Sequence, residues 1–346
     1  MKTEIVPFHM GLLPAAAELL AARHARDRAH LPLLPGRFEE SRTAASAVRE
    51  VWGKPNSSGV AAWQDGRMVG YLIGQMLFDD KRGRHIWMHL PGHALAADVP
   101  ADLCADLYAA AATRWLEMGA FDHYIMMPAR DRAELDVWFA LSFGQEAIHG
   151  MRSLTGPLPA PVDVPGIVIR RATADDRNAF IGEMPSLLAR HHTEAPVWAA
   201  FLPEWLPTVR DDYDDLLTND DVFVWLAELE GESSGDDANG NGRRIVGHQI
   251  YRPMSPSDDS LTIPMSGRAI LLDIAAVQPE WRRHNIGHAL TAVGMAAAAA
   301  GGYTVCVVDW RTTNLDAQRV WPRMGFQPAA YRLVRKVDPR ISWARL

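Results

Sequence analysis

Residues Val277–Leu290 read Val-Gln-Pro-Glu-Trp-Arg-Arg-His-Asn-Ile-Gly-His-Ala-Leu and join two segments of opposite character. Before them, Ala269–Val277 is an apolar run that predicts a mostly buried strand. After them, Ile286–Ala300 is rich in Ala, Leu and Met, contains no Pro and stops at Gly301-Gly302, which predicts a helix with a glycine stop. A strand that passes through a basic loop into a helix N-terminus is suited to holding an anion. The first-turn N–H groups have no intrahelical partner, and the helix dipole is positive there. Arg282, Arg283 and His284 stand beside those groups. The expected chemistry is a pyrophosphate cradle; the plain alternative for the two arginines is a solvated loop pair.

The elements around this loop form an ordered series. Ile5–Phe8 is an expected strand and Leu12–Ala29 an amphipathic helix, with Leu12, Leu19 and Leu20 against Arg23, Arg26 and Arg28. Gly59–Trp63 and Met68–Gln75 are strands joined by the hairpin signal Asp65-Gly66. His85–Leu90 (strand), Leu103–Met118 (helix), Phe121–Met127 (strand) and Asp131–Phe139 (helix) follow. Ser153–Gly166 carries four prolines and two glycines and reads as a linker. The order then repeats: strand Gly166–Arg171, helix Ala174–His191, hairpin strands Val222–Glu230 and Ile245–Arg252, the opening strand and helix, strand Thr304–Trp310, a helix from Leu315, and strand Ala330–Val337. The polar insert Gly231–Gly242 has a disordered composition. Asn314, Trp321 and Phe326 stand at the same mutual spacing as Asp131, Trp138 and Phe143. This repeat is far longer than a solenoid unit and predicts two homologous domains, at 1–155 and 166–346, with a linker at 156–165.

The chain has 346 residues, enough for two ordinary domains, and a net charge of −7, which argues against a general nucleic-acid or membrane binder. Cys104 and Cys306 are its only cysteines, both in apolar surroundings, and no apolar run reaches membrane-spanning length. With no signal-peptide pattern at the start, the expectation is a cytoplasmic protein.

The series of elements, together with two motifs, resembles the GCN5-related N-acetyltransferase (GNAT) superfamily, in a tandem two-domain form. That family's pyrophosphate loop follows Gln/Arg-x-x-Gly-x-Gly/Ala, which Arg282-Arg-His-Asn285-Ile-Gly287 matches with Asn in place of the first glycine. Asn is the best non-glycine residue for a left-handed backbone, so the turn is expected to survive. The second signature, Asn-x-x-Ala-x-x-x-Tyr-x-x-x-Gly-Phe, is matched by Asn314 through Phe326 with Trp321 at the tyrosine position. The fold class implied is α+β, with each domain a mixed, mostly antiparallel sheet flanked by helices.

The resemblance implies acetyl-CoA or another acyl-CoA as donor and an amine, in a small molecule or a peptide, as acceptor. The pyrophosphate is expected on the N–H groups of Arg283, His284, Asn285, Ile286, Gly287 and His288, next to Arg282. Pantetheine is expected along the strand ending at Ala275 and Val277. Asn314 is expected to contact the pantetheine arm or to cap its helix, and Trp321 to line the cofactor site or the core. An alkyl ammonium with a pKa of about 10.4 must lose a proton before it attacks, so a base is needed. Asp309 ends one strand in a stretch similar to Glu-x-Arg-x-x-Asn of ribosomal-protein N-terminal acetyltransferases. Asp273 lies four residues before Val277, similar in position to a histidine base of arylalkylamine acetyltransferases. Each is an isolated carboxylate in an apolar strand, unfavourable unless paired or functional; Asp309, Asp273 or water remain the candidates. Indole cannot act as an acid, so Trp321 leaves the thiolate to depart unaided unless Tyr303 or Tyr331 substitutes.

The first half lacks the arginine–glycine loop and carries Asp98 and Asp102 where phosphate should sit. It is expected to bind no CoA and to pack on the second half, shaping the acceptor site. No metal site is expected from His191-His192-x-Glu194, and the Asp211–Asp221 acidic run reads as a solvated face. The competing reading is a non-catalytic acyl-CoA-binding or scaffold protein.

Overall fold

The computed structural model describes residues 2–130, 132–230, 244–254 and 268–344. Asp131, the Gly231–Gly242 insert and residues 255–267 lie outside the described residues. The chain forms two compact units. The described residues of 1–149 and 328–346 make unit 1, and those of 150–254 and 268–327 make unit 2. Each has the mixed sheet with flanking helices that the sequence predicts.

Unit 1 begins with β1 (Glu4–Pro7), α1 (Leu13–His30), α2 (Ser41–Gly53), β2 (Ser57–Gln64) and β3 (Arg67–Asp79). It continues through β4 (Gly83–Met88), β5 (His93–Leu95), α3 (Leu103–Glu117), β6 (Asp122–Pro128), α4 (Arg132–Ala140) and the start of β7 (Gly144–Ser153). The β2–β3 turn has φ of 48° at Asp65 and 77° at Gly66, the left-handed pair that a two-residue hairpin demands. Met88 pairs with Ile125 at the end of the parallel β4–β6 register, whereas β2, β3 and β4 are antiparallel. Trp115, Trp138 and Tyr71 fill the interior.

Unit 2 contains β8 (Ile167–Arg171), α5 (Arg177–Thr193), α6 (Leu206–Thr218), β9 (Phe223–Leu229) and β10 (Ile245–Pro253), then β11 (Ala269–Val277), α7 (Ile286–Ala300), β12 (Val305–Arg311) and α8 (Leu315–Arg323). Its strand order is β12-β11-β10-β9-β8, antiparallel except for β11–β12. Alternation along β10 divides the two faces. Ile250 joins Phe180, Met184 and Tyr213 under α5 and α6, while Gln249 bonds Gly287 and Thr291 of α7. Gly294 of α7 lets that helix sit directly on Tyr251, because a Cβ there would lie 2.3 Å from the ring. The repeat seen in the sequence is visible as packing. Trp138 meets Phe143 edge-on at 4.9 Å in unit 1, and Trp321 meets Phe326 edge-on at 5.6 Å in unit 2.

The last strand, β13 (Gln327–Lys336), does not stay with the helix that precedes it. Residues from Pro328 onward belong to unit 1, where β13 pairs antiparallel with β6 from Ala330↔Pro128 to Lys336↔Asp122.

Candidate active site

The site is built on the parting of β11 and β12. Their parallel register runs from Ala269↔Val305 to Leu272↔Val308 and goes no further. On the other side of β11, the β10 register slips between Ile250↔Ile274 and Tyr251↔Leu272, leaving Asp273 as the extra, bulged residue. A bulge bends its strand, so β11 turns away from β12 at the residue where their pairing stops. The β11 edge from Asp273 to Val277, including Ala275, is therefore without a β12 partner.

The two candidate carboxylates sit at this point. Asp273 and Asp309 are the first residues past the last paired couple, Leu272 and Val308. Val308 lies opposite Leu272, and Leu272 opposite Tyr251, so all three share the α7 face; Asp309 therefore faces the α5–α6 side. Asp273 looks the same way, since its Oδ2 accepts from Arg252 Nε at 2.9 Å and its charge helps hold the buried Tyr213 phenol protonated, after burial itself. The two acids differ in engagement. Asp273 is ion-paired with Arg252, a partner that sequence spacing did not suggest. Asp309 is half-buried, with no side-chain hydrogen bond or ion pair among the described residues. Behind Asp273, Tyr213 Oη lies 3.2 Å from His248 Nε2, and burial depresses the His248 pKa to about 3.

The loop after β11 has the backbone that its residue types predict. Arg283 has φ of 68° and Asn285 φ of 62°, and Asn285 is the left-handed residue at the start of α7. No side chain caps that helix start. A Cβ built on Gly287 meets no heavy atom within 4 Å, so the first turn has open space beside it. Ile286 is buried as the anchor, and His288 is half-buried. Beneath the turn, Tyr251 Oη donates to Gln249 Oε1 (2.8 Å), and Gln249 Nε2 donates to Thr291 Oγ1 (2.8 Å) and to the Gly287 carbonyl (3.2 Å). Arg282 does not point into solvent alone: its Nη1 pairs with Glu194 Oε2 at 3.1 Å and its Nε donates to the Val277 carbonyl at 3.3 Å. His284 Nδ1 lies 2.9 Å from the Arg282 carbonyl.

Asn314 caps α8, its Oδ1 accepting from the Ala317 N–H at 3.0 Å. That bond fixes the amide orientation, so Nδ2 donates to His191 Nε2 at 2.9 Å and the His191 proton lies on Nδ1. Burial, then His192 and Arg282, lower the His191 pKa, consistent with this neutral form. Trp321 is buried against Phe326. Tyr303 precedes β12, at the end away from Asp309, and Tyr331 lies in β13 of unit 1. Burial pushes the Cys306 thiol up to about 12. Among the described residues no three His, Cys, Asp or Glu side chains gather as a metal site, and no helix is long and apolar enough to cross a membrane. Sequence reading missed Glu194, His191, Arg252 and Gln249 as neighbours of these groups. His191 and Glu194 were noticed only as metal-ligand types, and their partners lie roughly a hundred positions away.

The corresponding place in unit 1 is filled by protein. Leu90, Pro91, Gly92 and His93 are all buried after β4, His93 Nε2 lies 2.8 Å from the Met126 carbonyl, and Arg23 Nη1 donates to the His93 carbonyl at 2.5 Å. Asp98 is paired with Arg67 at 2.7 Å.

Residues 191–326 match the model of the acetyltransferase (GNAT) family. No curated protein matches the sequence. Among solved structures, a GCN5-related N-acetyltransferase from Sphaerobacter thermophilus is 16% identical with a TM-score of 0.59, over 96% of this chain and 95% of that one. A tandem GNAT protein from the clavulanic acid biosynthesis pathway is 13% identical with a TM-score of 0.50, over 98% and 99%. A glucosamine N-acetyltransferase region of a fungal multi-domain GH3 β-N-acetylglucosaminidase is 15% identical with a TM-score of 0.52, over 96% of this chain and 38% of that one. The family match falls in unit 2, the unit that also holds the parted strand pair and the uncapped helix after a basic loop, and the solved structures share the fold over nearly the whole chain.

Proposed function

We propose that unit 2 is an N-acyltransferase that moves an acyl group, acetyl in the first instance, from acyl-CoA to an amine by direct attack. The observation that supports this reading is the coincidence, at one end of β11 and β12, of a basic turn into an uncapped helix start, a strand edge that β12 does not pair and, among the described residues, a carboxylate with no partner. The N–H groups of Arg283–His288 would hold the pyrophosphate, and the Asp273–Val277 edge would bond the pantetheine amides. When bound, acyl-CoA supplies an acyl group activated as a thioester. Asp309 would accept one proton from the ammonium; the freed lone pair would add to the thioester carbon, the C–S electrons would leave with sulfur, and the second proton lost by nitrogen as the amide forms would pass through water to that thiolate. Asp309 is favoured over Asp273 because Arg252 already occupies one of Asp273's oxygens. Cys306, buried and with its pKa near 12, supplies no nucleophile, which supports transfer without an acyl-enzyme. Unit 1 takes no CoA in this reading, because His93 and Arg23 fill the corresponding gap.

The test is thioester cleavage with acetyl-CoA and a panel of amines, alongside calorimetry. Amine-dependent cleavage with one CoA bound per chain is expected. Binding without turnover on any amine would favour a non-catalytic acyl-CoA-binding protein, and no binding would refute both readings.

A further inference from the structure

The α5–α6 connection crosses the open end of the site. Glu194, just past α5, holds Arg282 of the segment after β11. Three residues later, the Val197 carbonyl accepts from Thr313 Oγ1 at 3.2 Å, in the segment after β12. His191 and Asn314 add a second tie on that side. Because β11 and β12 run parallel, both segments leave from the same end, and the connection is a strap across the gap between them.

The strap's side chains are of one kind. Residues 194–205 read Glu-Ala-Pro-Val-Trp-Ala-Ala-Phe-Leu-Pro-Glu-Trp, with no Lys, Arg or Asp. Glu194 is neutralised by Arg282, leaving Glu204 as the other charge. Trp198 is 73% exposed and Leu202 47%, next to half-buried Phe201, which packs on His192. Trp198 also has φ of 39°, in the left-handed region that a bulky side chain rarely adopts; such an outlier points to a functional constraint. A large indole presented to solvent by strained backbone, beside a gap holding one uncommitted carboxylate, is an arrangement for a ligand with one charge and an apolar body.

We infer that the amine acceptor is a primary monoamine bearing a flat apolar group, its ammonium at Asp309 and its ring on Trp198 and Leu202. This deepens the proposed function and rests on it. At the gap itself a polycation would call for several free carboxylates, whereas of the two acids there Asp273 is engaged by Arg252; the exposed Asp211, Asp212 and Asp215 of α6 make spermidine the competing outcome of the test.

The experiment measures acetyl-CoA thioester cleavage with 2-phenylethylamine, tryptamine, spermidine, an aminoglycoside and a lysine peptide, using wild type, Trp198→Ala and Trp198→Gly. Glycine tolerates the positive φ, so that variant keeps the strap's backbone. The inference expects the aromatic monoamines to have the highest kcat/KM. Both variants should raise their KM about tenfold, with kcat and the acetyl-CoA affinity unchanged. Preference for spermidine, the aminoglycoside or the peptide, or an aromatic-amine KM that ignores Trp198, overturns the inference while leaving the acyltransferase reading intact. Failure to bind acetyl-CoA overturns both.

Discussion

Replacing Gly287 with leucine separates fold from cofactor binding more cleanly than any charge removal. Gly287 is the second residue of α7, and a Cβ there meets nothing within 4 Å. Leucine in a helix is favoured over glycine by up to about 0.8 kcal/mol, less near an end, so unit 2 should melt at the same temperature or slightly higher. The space that the isobutyl group would take is the space in which, in the proposed reading, a pyrophosphate approaches the first-turn N–H groups; alanine, which the family's loop pattern also carries at this position, is too small to test it. A hydrogen bond to a charged group contributes about 1.5–3 kcal/mol, so forcing one such contact apart should weaken CoA roughly 10- to 100-fold. Calorimetric titration with CoA and differential scanning calorimetry on the same samples read the two effects. Gly294→Ala is the contrast. Its Cβ would lie 2.3 Å from the Tyr251 ring, so it should destabilise unit 2 by about 1–3 kcal/mol before any effect on binding. CoA affinity unchanged in a stable Gly287→Leu protein would refute the placement of the pyrophosphate.

Asp309→Asn should lower kcat by about 10²-fold or more, while Asp273→Asn costs less, with the CoA affinity of both unchanged; equal kcat for Asp309→Asn and wild type removes Asp309 as base. Gln249→Ala should loosen the α7 start and raise the KM for acetyl-CoA more than it lowers kcat, in steady-state kinetics. Acid should destabilise the fold through three buried histidines. Burial depresses His93 and His248 to about 3 and His123 to about 4, against an ordinary value near 6.5. Below about pH 6.5 the unfolded chain binds more protons than the native one, so stability is full above that pH and falls steadily towards the native values, by on the order of 2 kcal/mol per histidine at pH 5. His93 and His123 are in unit 1 and His248 in unit 2, so the unit 1 transition should fall further between pH 7.5 and 5; a flat melting profile over that range would contradict the buried neutral rings.

Much of this architecture is legible in residue order because its strands and helices carry strong local signals. Ala269–Val277 and Ile286–Ala300 are observed at the ends predicted, since an apolar β-rich run and an alanine helix bounded by Asn285 and Gly301 leave little choice. The left-handed Asn285 follows from the same local chemistry. Helix α2 was missed because its buried face is only Ala44, Ala47, Val48 and Val51, a weak stripe of small side chains. Strand β7 was missed because His149, Gly150 and Glu146 interrupt its apolar alternation. The site was legible as types and not as partnerships. The bulge at Asp273, the Arg252 pair that distinguishes it from Asp309, and the strap joining Glu194 to Arg282 all depend on contacts between distant segments, which no spacing encodes. The place of β13 in unit 1 is likewise a matter of pairing between segments distant in the chain, β13 with β6.

The central claim is that the turn after β11 holds acyl-CoA with the thioester facing the gap between β11 and β12. A crystal structure with acetyl-CoA tests it most directly. The account predicts one cofactor per chain, its pyrophosphate oxygens about 3 Å from the N–H groups of residues 283–288, and its acyl carbon on the side of Asp309. A pyrophosphate bound anywhere else, or acetyl-CoA seated in unit 1, would contradict it.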